Sequence, residues 1–309
     1  MKYCFVHLGK GNMKNTVTIS VISIMFFVSS INGNFCYKKE NSMKKKDTTQ
    51  STGSYSEVNG LKMYYEVHGK SGDYLVLIHG GGSTIGTTFG SVLPILAKDN
   101  KVIAVELQGH GHTNDRNSPE SFEQDADDVA VLLKNLNVAK ASFLGFSNGG
   151  NTAIQIALRH PQIVNKLILA STFYKREGLI SGFFDGMKQA TLDVMPKTLQ
   201  DAFLQINPER EKLITMFNKD KERMLQFKDW KDEDISSIKM PTLIINGDHD
   251  VILANHAMEM SMLIKNSRLM ILPATHGSYI GVAESPIPNT KLLEMTSEVI
   301  KDFLNNDAK

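Results

Sequence analysis

The segment Gly145-Phe-Ser-Asn-Gly149, followed directly by Gly150, is the strongest indication of the fold of this chain. It lies between a short apolar run at 141–144 and a segment with helical apolar spacing at 152–158. A lone G-x-S-x-G motif is common by chance. Between a strand and a helix, however, it indicates a sharp turn that presents a serine at a helix N-terminus, with glycines leaving room for the turn. The pattern predicts that Ser147 is a nucleophile.

Strand and helix patterns alternate on both sides of this motif. The run at 74–78 is continuously apolar and stops at His79 and three glycines, which suits a strand buried on both faces. Further strands are predicted at 63–67, 102–105, 167–170, 241–245 and 269–272, and helices at 122–136, 254–264 and 290–304. This alternation predicts an α/β fold with a mostly parallel sheet, helices on both faces and functional residues at the carboxyl ends of strands.

Residues 175–239, hereafter the cap, break the alternation because they show helical spacing and no strand pattern. We predict a helical insertion that covers the active site and selects substrate without taking part in the chemistry. The alternative is an ordinary pair of surface helices. The charged residues 219–223 of the cap are expected to face solvent. Some of its large apolar side chains should line a pocket and more should pack the cap itself, among them Phe183, Phe184, Met187, Met195, Phe203 and Met216.

A serine nucleophile needs a base, and the base needs an acid that orients it. His276 closes the last predicted strand, and both Asp248 and Asp250 close the strand before it. The chain order Ser, Asp, His suits strands that lie side by side. The pair His110 and His112 lacks further ligands, so no metal site is expected. Among the other histidines, His79 belongs to the glycine turn that is expected to bind an oxyanion, and His160, His249 and His256 are assigned to surface or structural roles.

The glycines that follow His79 leave the backbone bare where an oxyanion could form. Gly81 is the favoured N–H donor and Gly82 the second choice, and the other donor is expected to be the N–H of Asn148, directly after the nucleophile. Without the serine motif downstream, a flexible glycine turn would be the better interpretation.

The N-terminal segment carries the features of a signal peptide. Lys14 precedes an apolar run at 17–31 that is too short and Ser-rich for a good membrane span, and small residues follow it. We predict a signal peptide at 1–33, with Met13 as an alternative start, a polar linker at 34–54 and the α/β domain at 55–309. The protein is expected to be exported, periplasmic or extracellular. Lipid attachment at Cys36 would make it a membrane-anchored lipoprotein, but Phe35 before it fits such signals poorly.

Composition narrows the partners. The net charge of +1 creates no large field of either sign, so no nucleic-acid partner is expected. Both cysteines, Cys4 and Cys36, lie in the first forty residues, so the domain has no disulfide and no cysteine metal site. Membrane contact is expected only through the N-terminal segment, if it is uncleaved or lipidated.

From about residue 55 onward the chain resembles the α/β-hydrolase superfamily, and most of all the bacterial enol-lactonase, esterase and C–C hydrolase group. The resemblance is carried by His79-Gly-Gly-Gly82, Gly109-His-Gly111, Gly145-Phe-Ser-Asn-Gly149, Gly247-Asp-His-Asp250 and His276-Gly277. It implies that Asp250, the second aspartate of its stretch, is the acid.

One departure is Glu106-Leu-Gln108, which stands where relatives often have Asp and Arg, so a basic side chain is missing there. Ser147 also argues against epoxide hydrolases and haloalkane dehalogenases, whose nucleophile is an aspartate. The resemblance implies cleavage of a carboxylic ester or lactone in a small-molecule substrate, without a cofactor. C–C bond cleavage, aminopeptidase-type cleavage and a non-catalytic ligand-binding role remain alternatives.

Overall fold

A computed structural model describes residues 53–285 and 289–306, so the predicted signal peptide and all but the last two residues of the predicted linker lie outside the described residues. Eight strands form one sheet in the order β1-β2-β4-β3-β5-β6-β7-β8. From β1 to β8 they span Ser54–Val58, Leu61–His68, Tyr74–Ile78, Lys101–Val105, Ala141–Phe146, Val164–Ala170, Thr242–His249 and Ser267–Thr275. β2 pairs antiparallel with both of its neighbours, β1 and β4, and all other neighbouring strands pair parallel, which confirms the predicted α/β fold with a mostly parallel sheet.

Helices cover both faces of this sheet. From α1 to α10 they span Ile85–Phe89, Leu93–Leu96, Phe122–Asn135, Asn148–Arg159, Phe183–Gln189, Lys197–Ile206, Arg210–Gln226, Asp232–Ser236, Ala254–Leu263 and Thr290–Asn305. Short 3₁₀ turns lie at Pro161–Ile163, Arg176–Gly178 and Leu192–Val194. Within the described ranges, no helix combines the length and apolar character that crossing a bilayer requires.

The central strand β3 shows why its sequence is continuously apolar. Successive side chains of a strand point to opposite faces. Val76 and Ile78 therefore enter the core beneath α3, α4 and α9, whereas Leu75 and Leu77 enter the core beneath α1 and α10. All four side chains are fully buried. Burial on both faces explains the absence of polar residues from this strand.

Several elements differ from the sequence-based expectation. β1 was not predicted because three of its five residues are polar and only Val58 is buried. It forms a hairpin with β2 through Asn59 and Gly60, both with positive φ. The helices α1 and α2 are too short to show a helical period. α4 begins at Asn148 rather than near 152, since its first turn is built from glycines. Ser121 caps α3 as predicted, and its side chain accepts the N–H of Gln124.

The cap contains α5 to α8, and its apolar residues form two clusters, one packed against Phe122 and Val251 of the body and one internal to the cap. The expectation that 219–223 faces solvent is wrong for two residues. Asp220 and Arg223 are only 8% and 5% exposed. They lie three residues apart on one side of α7, which places both against the body, where Asp125 and His110 carry groups that can pair with them.

Candidate active site

Ser147 occupies the sharp turn between β5 and α4. Its φ of 52° and ψ of −124° lie in a region that side chains rarely adopt, so the surrounding structure must hold the residue there. The neighbouring glycines permit the close packing of this turn. A Cβ on Gly149 would lie 2.1 Å from the carbonyl oxygen of Ile78, and one on Gly145 would lie 2.2 Å from that of Gly149. The glycine spacing of the motif is therefore a requirement of packing.

The structure brings Ser147, His276 and Asp250 into one hydrogen-bonded chain. His276 Nε2 lies 3.1 Å from Ser147 Oγ, and His276 Nδ1 lies 2.7 Å from Asp250 Oδ1. A proton on Nδ1 donates to the carboxylate and leaves Nε2 free to accept from the serine hydroxyl. Because Asp250 follows β7 and His276 follows the adjacent β8, residues far apart in the chain meet at one edge of the sheet. This arrangement can remove a proton from Ser147.

Asp248 takes no part in this chain. It lies on the exposed end of β7, its Oδ1 accepts the N–H of Ala274 at 3.0 Å, and it lies 2.9 Å from Nδ1 of His249. Asp250, in contrast, is buried beside His276. Of the two aspartates that the sequence offered, the structure places only Asp250 at the imidazole.

Two residues that sequence reasoning missed hold Asp250 in place. Ser171 Oγ donates to Asp250 Oδ2 at 2.6 Å, and Tyr279 OH lies 2.7 Å from Ser171 Oγ, positioned to donate to it. The N–H of Ile252 donates to Oδ1 at 3.0 Å. Ser171 has a positive φ of 49° directly after β6. The only signal in the sequence is a serine at the carboxyl end of the strand beside that of the acid.

The electrostatics of the pair favour a charged carboxylate and a basic imidazole. Burial alone would raise the pKa of Asp250, but His276 and the bonds from Ser171 and Ile252 lower it below its usual range. Burial alone would lower the pKa of His276, but Asp250 and, more weakly, Glu284 raise it above 6.5. The pair is therefore ready to stabilise an imidazolium.

The oxyanion turn, defined as residues 80–82, sits above Ser147. Within the described residues, the N–H groups of Gly81 and Asn148 have no acceptor. The N–H of Gly82, the second-choice donor, instead donates to Asp220 Oδ2 at 2.5 Å. His79 anchors the turn, since its Nδ1 contacts Gly80 O at 2.7 Å, and burial and the nearby His110 lower its pKa to about 3. Gly81 and Asn148 are thus the N–H groups available to a ligand.

An apolar cavity lies between the cap and Ser147. The predicted cap residues Phe183, Met187 and Met195 line it, together with Val194, Leu199 and Phe217. Phe203 and Met216 pack inside the cap, and Phe184 is half-buried against Phe183. The wall of the cavity also carries the polar residues Asp220, Lys221 and Glu284. Glu284 Oε2 is a buried atom without a hydrogen-bond partner in the described structure.

The other histidines have separate partners. His110 is buried against Asp220, whereas His112 stacks on Tyr64 and contacts Glu106 at 2.9 Å, so the two do not converge. His160 contacts Asp127, His249 is exposed, and His256 is buried and stacks on Tyr174. Among residues 53–285 and 289–306, no group of three or more potential ligands is arranged to hold a metal ion.

The departure at Glu106 and Gln108 has a local explanation. Gln108 Nε2 donates to Asp115 Oδ1 at 2.8 Å and to Ser118 O at 3.2 Å, and so it ties down the loop that follows β4. Glu106 is buried and accepts the N–H of His112 at 2.6 Å. Neither side chain lines the cavity, so both act in the loop structure.

Comparison with known proteins agrees with this architecture. A family model described as the alpha/beta hydrolase fold matches residues 73–205. The chain is 30% identical over 240 residues to the serine hydrolase BPHL of Homo sapiens. This match covers 73% of this chain and 80% of that protein. It is 33% identical over 146 residues to the pimeloyl-[acyl-carrier protein] methyl ester esterase of Photobacterium profundum, covering 47% of this chain and 54% of that one.

The fold also matches a solved structure, the enol-lactonase from Burkholderia xenovorans LB400. The TM-score is 0.64 and the identity 23%, over 82% of this chain and 100% of the other. The resemblance predicted from the motifs is confirmed by the family model and by the extent of the match to the human hydrolase. The chain belongs to the α/β-hydrolase family of hydrolytic enzymes.

Proposed function

We propose that the protein hydrolyses a carboxylic ester or lactone with an apolar acyl group, through an acyl-enzyme on Ser147. The observation that carries this proposal is the chain from Ser147 Oγ to His276 at 3.1 Å and on to Asp250 at 2.7 Å, at the floor of an apolar cavity. Two relatives support it, since one is named a serine hydrolase and the other a methyl ester esterase.

In the proposed mechanism His276 takes the proton of Ser147 as Oγ attacks the carbonyl carbon. Asp250 keeps the imidazole in the correct tautomer and stabilises the imidazolium. The N–H groups of Gly81 and Asn148 hold the developing oxyanion, each contributing about 3 kcal/mol in comparable enzymes. His276 then gives the proton to the leaving alcohol, and water cleaves the acyl-enzyme by the same route.

A substrate panel tests this function. The panel contains nitrophenyl esters from acetate to decanoate and several lactones. It also contains a ketone whose C–C bond next to the carbonyl can be cleaved, and an aminoacyl anilide that tests aminopeptidase-type cleavage. We expect the highest kcat/KM among the esters or lactones. Turnover only of the C–C substrate or the anilide would move the function to that alternative. No turnover of any substrate, together with no reaction with a fluorophosphonate, would indicate a non-catalytic member.

The cap residues above Ser147 should set the preferred acyl length. Replacing Phe183 and Met187 with alanine enlarges the cavity, so kcat/KM for long acyl esters should rise about 10-fold relative to that for acetate, because one methylene in an apolar pocket is worth about 1–3 kcal/mol. Lys188→Ala, on the exposed side of the same helix, is the matched control and should leave the profile unchanged. A uniform change across all chain lengths would contradict this assignment.

The pH profile should report the raised pKa of His276. The neutral imidazole is the base, so kcat/KM should rise as pH increases and reach half its maximum above pH 6.5. Glu284 is the weaker of the two carboxyl groups that raise the pKa of His276, and burial raises its own pKa, so Glu284→Gln should move the acid limb only slightly to lower pH. Glu57→Gln, at the opposite edge of the sheet, is the control. An acid limb at or below pH 6.5 in the wild type would contradict the role given to Asp250.

We also propose that the protein is exported. The support is the sequence alone, with Lys14 before the apolar run at 17–31 and small residues after it. N-terminal sequencing of protein recovered outside the cytoplasm should begin between about Ile31 and Cys36, and a mass increase on the Cys36 peptide would indicate lipid attachment. Cytoplasmic protein with an intact Met1 or Met13 terminus is the contrary result.

A further inference from the structure

Asp220, on the cap helix α7, places its carboxylate beside the oxyanion turn. Asp220 is buried, and its Oδ2 accepts the N–H of Gly82 at 2.5 Å and lies 2.9 Å from Nε2 of His110. Its other oxygen pairs with Arg223, about one helical turn along. Asp220 also lines the cavity beside Gly81. One cap side chain therefore joins the turn to the wall of the substrate cavity.

The groups around Asp220 keep it ionised. Burial alone would raise the pKa of Asp220, but Arg223 and His110 hold it well below its usual range. Burial alone would lower the pKa of His110, but Asp220 raises it to about 9. Protonated His110 donates from both nitrogens, to Gln108 O at 2.8 Å and to Asp220. The nitrogen of Gly82 also lies 3.3 Å from Nε2 of His110, but a protonated Nε2 cannot accept a hydrogen bond, so the carboxylate of Asp220 is the acceptor of the Gly82 N–H.

Two peptide planes set the directions of the N–H groups in the oxyanion turn. In a trans peptide the C=O and N–H of one plane point in opposite directions. The bond from His79 Nδ1 to Gly80 O orients the plane that carries the N–H of Gly81. The bond from Gly82 N–H to Asp220 orients the next plane. The N–H of Gly81 is thus held from both sides, by the body through His79 and by the cap through Asp220.

A carboxylate this close to a developing oxyanion needs compensating charge. A Cβ on Gly81 would lie 3.3 Å from Asp220 Oδ2, so the two residues are immediate neighbours. Without compensation the carboxylate would repel the oxyanion of the transition state. Arg223 and His110 place two positive charges in contact with it, and Asp125 of the body binds Arg223 at 2.9 Å. Asp220 therefore keeps its hydrogen bond to the N–H of Gly82, while the positive charges of Arg223 and His110 offset its negative charge.

We propose that Asp220 is a positioning residue that locks the oxyanion turn, so that the cap contributes to transition-state stabilisation as well as to substrate choice. The proposal rests on the proposed ester hydrolysis through Ser147. It departs from the expectation that the cap selects substrate without taking part in the chemistry. The physical reason is preorganisation, because an N–H that is already aimed needs no reorientation when charge develops.

The test compares two substitutions at one position. Asp220→Ala removes the acceptor of Gly82 N–H, and we expect kcat to fall about 10- to 100-fold on the acetate ester and on longer esters alike, with a much smaller change in KM. Asp220→Asn keeps an oxygen that can accept this N–H and should recover a large part of the loss. Inhibition by a trifluoromethyl ketone, whose adduct carries an oxyanion, should weaken in Asp220→Ala by a similar factor.

Lys219→Met is the matched control. Lys219 precedes Asp220 on α7 and binds Asp115 of the body at 2.6 Å without touching the oxyanion turn. It should lower Tm and leave kcat unchanged. If Asp220→Ala hydrolyses the acetate ester with the wild-type kcat, or if Lys219→Met loses as much kcat, Asp220 is only a structural link between cap and body.

Three measurements on the wild type complete the design. Ester turnover and phosphonate labelling of Ser147 are measured first, so that their absence overturns the proposed function, whereas an active wild type with unaffected Asp220 variants overturns only the present proposal. If Asp220→Ala does not fold, the amide proton of Gly82 in the wild type decides. We expect it far downfield and slow to exchange, and an ordinary shift with fast exchange would contradict the bond to Asp220.

Discussion

Replacing Ser147 with alanine is expected to lower kcat on the best ester by roughly 10⁶-fold, because the attacking oxygen is removed while the oxyanion donors and the cavity remain. Alanine fits the turn as well as serine does, since both carry a Cβ at the positive φ of this position. Folding should therefore be unaffected, and KM should change little. Kinetics on purified protein, with thermal unfolding to confirm the fold, measure this directly.

Covalent labelling identifies the same residue independently. A fluorophosphonate should add to the peptide that contains Ser147, as seen by mass spectrometry, and should not add to the Ser147→Ala protein. Ser237→Ala, an exposed serine of the cap, is the control and should label and turn over like the wild type. Full activity in Ser147→Ala, or an adduct on another serine, would remove Ser147 from the mechanism.

Asp250→Asn should lower kcat roughly 10⁴-fold, whereas Asp248→Asn should lower it less than about 10-fold. An amide at 250 can donate to Nδ1 and so stabilise the wrong imidazole tautomer, and it carries no charge to balance the imidazolium. Asp248 lies on the exposed end of β7 and contacts His249 and the backbone of Ala274. The two residues form a matched pair because the same substitution is made two positions apart, once within the end of β7 and once directly after it.

The comparison is made on kcat with a small ester, together with the acid limb of the pH profile. Asp250→Asn should also move that limb to lower pH, since Asp250 raises the pKa of His276. The opposite ranking of the two variants would assign the acid to Asp248. Equal, mild losses would mean that His276 works without a carboxylate partner.

The local sequence pattern was sufficient to predict the strand, turn and helix around Ser147 and the central strand β3. The nucleophile could be predicted because its strand, turn and helix lie within twenty consecutive residues, and the close approach of Gly149 to Ile78 makes the glycines necessary. β3 matched its prediction at both ends because burial on both faces excludes polar residues. β1 could not be predicted, since an exposed edge strand places no such demand on its sequence.

Residue patterns along the chain were enough to predict the α/β fold, the serine turn and the short list of partners for Ser147, because each depends on neighbouring residues. The local pattern left both Asp248 and Asp250 open, and the contact of Asp250 with His276, its support by Ser171 and the position of Asp220 became visible only in the folded structure. Those outcomes depend on contacts between residues far apart, 79 positions for Ser171 and Asp250 and 138 for Gly82 and Asp220. From the sequence alone, a charged residue on a helix is expected to face solvent. Its burial depends on opposite charges that another element places next to it, and these become neighbours only in the folded structure.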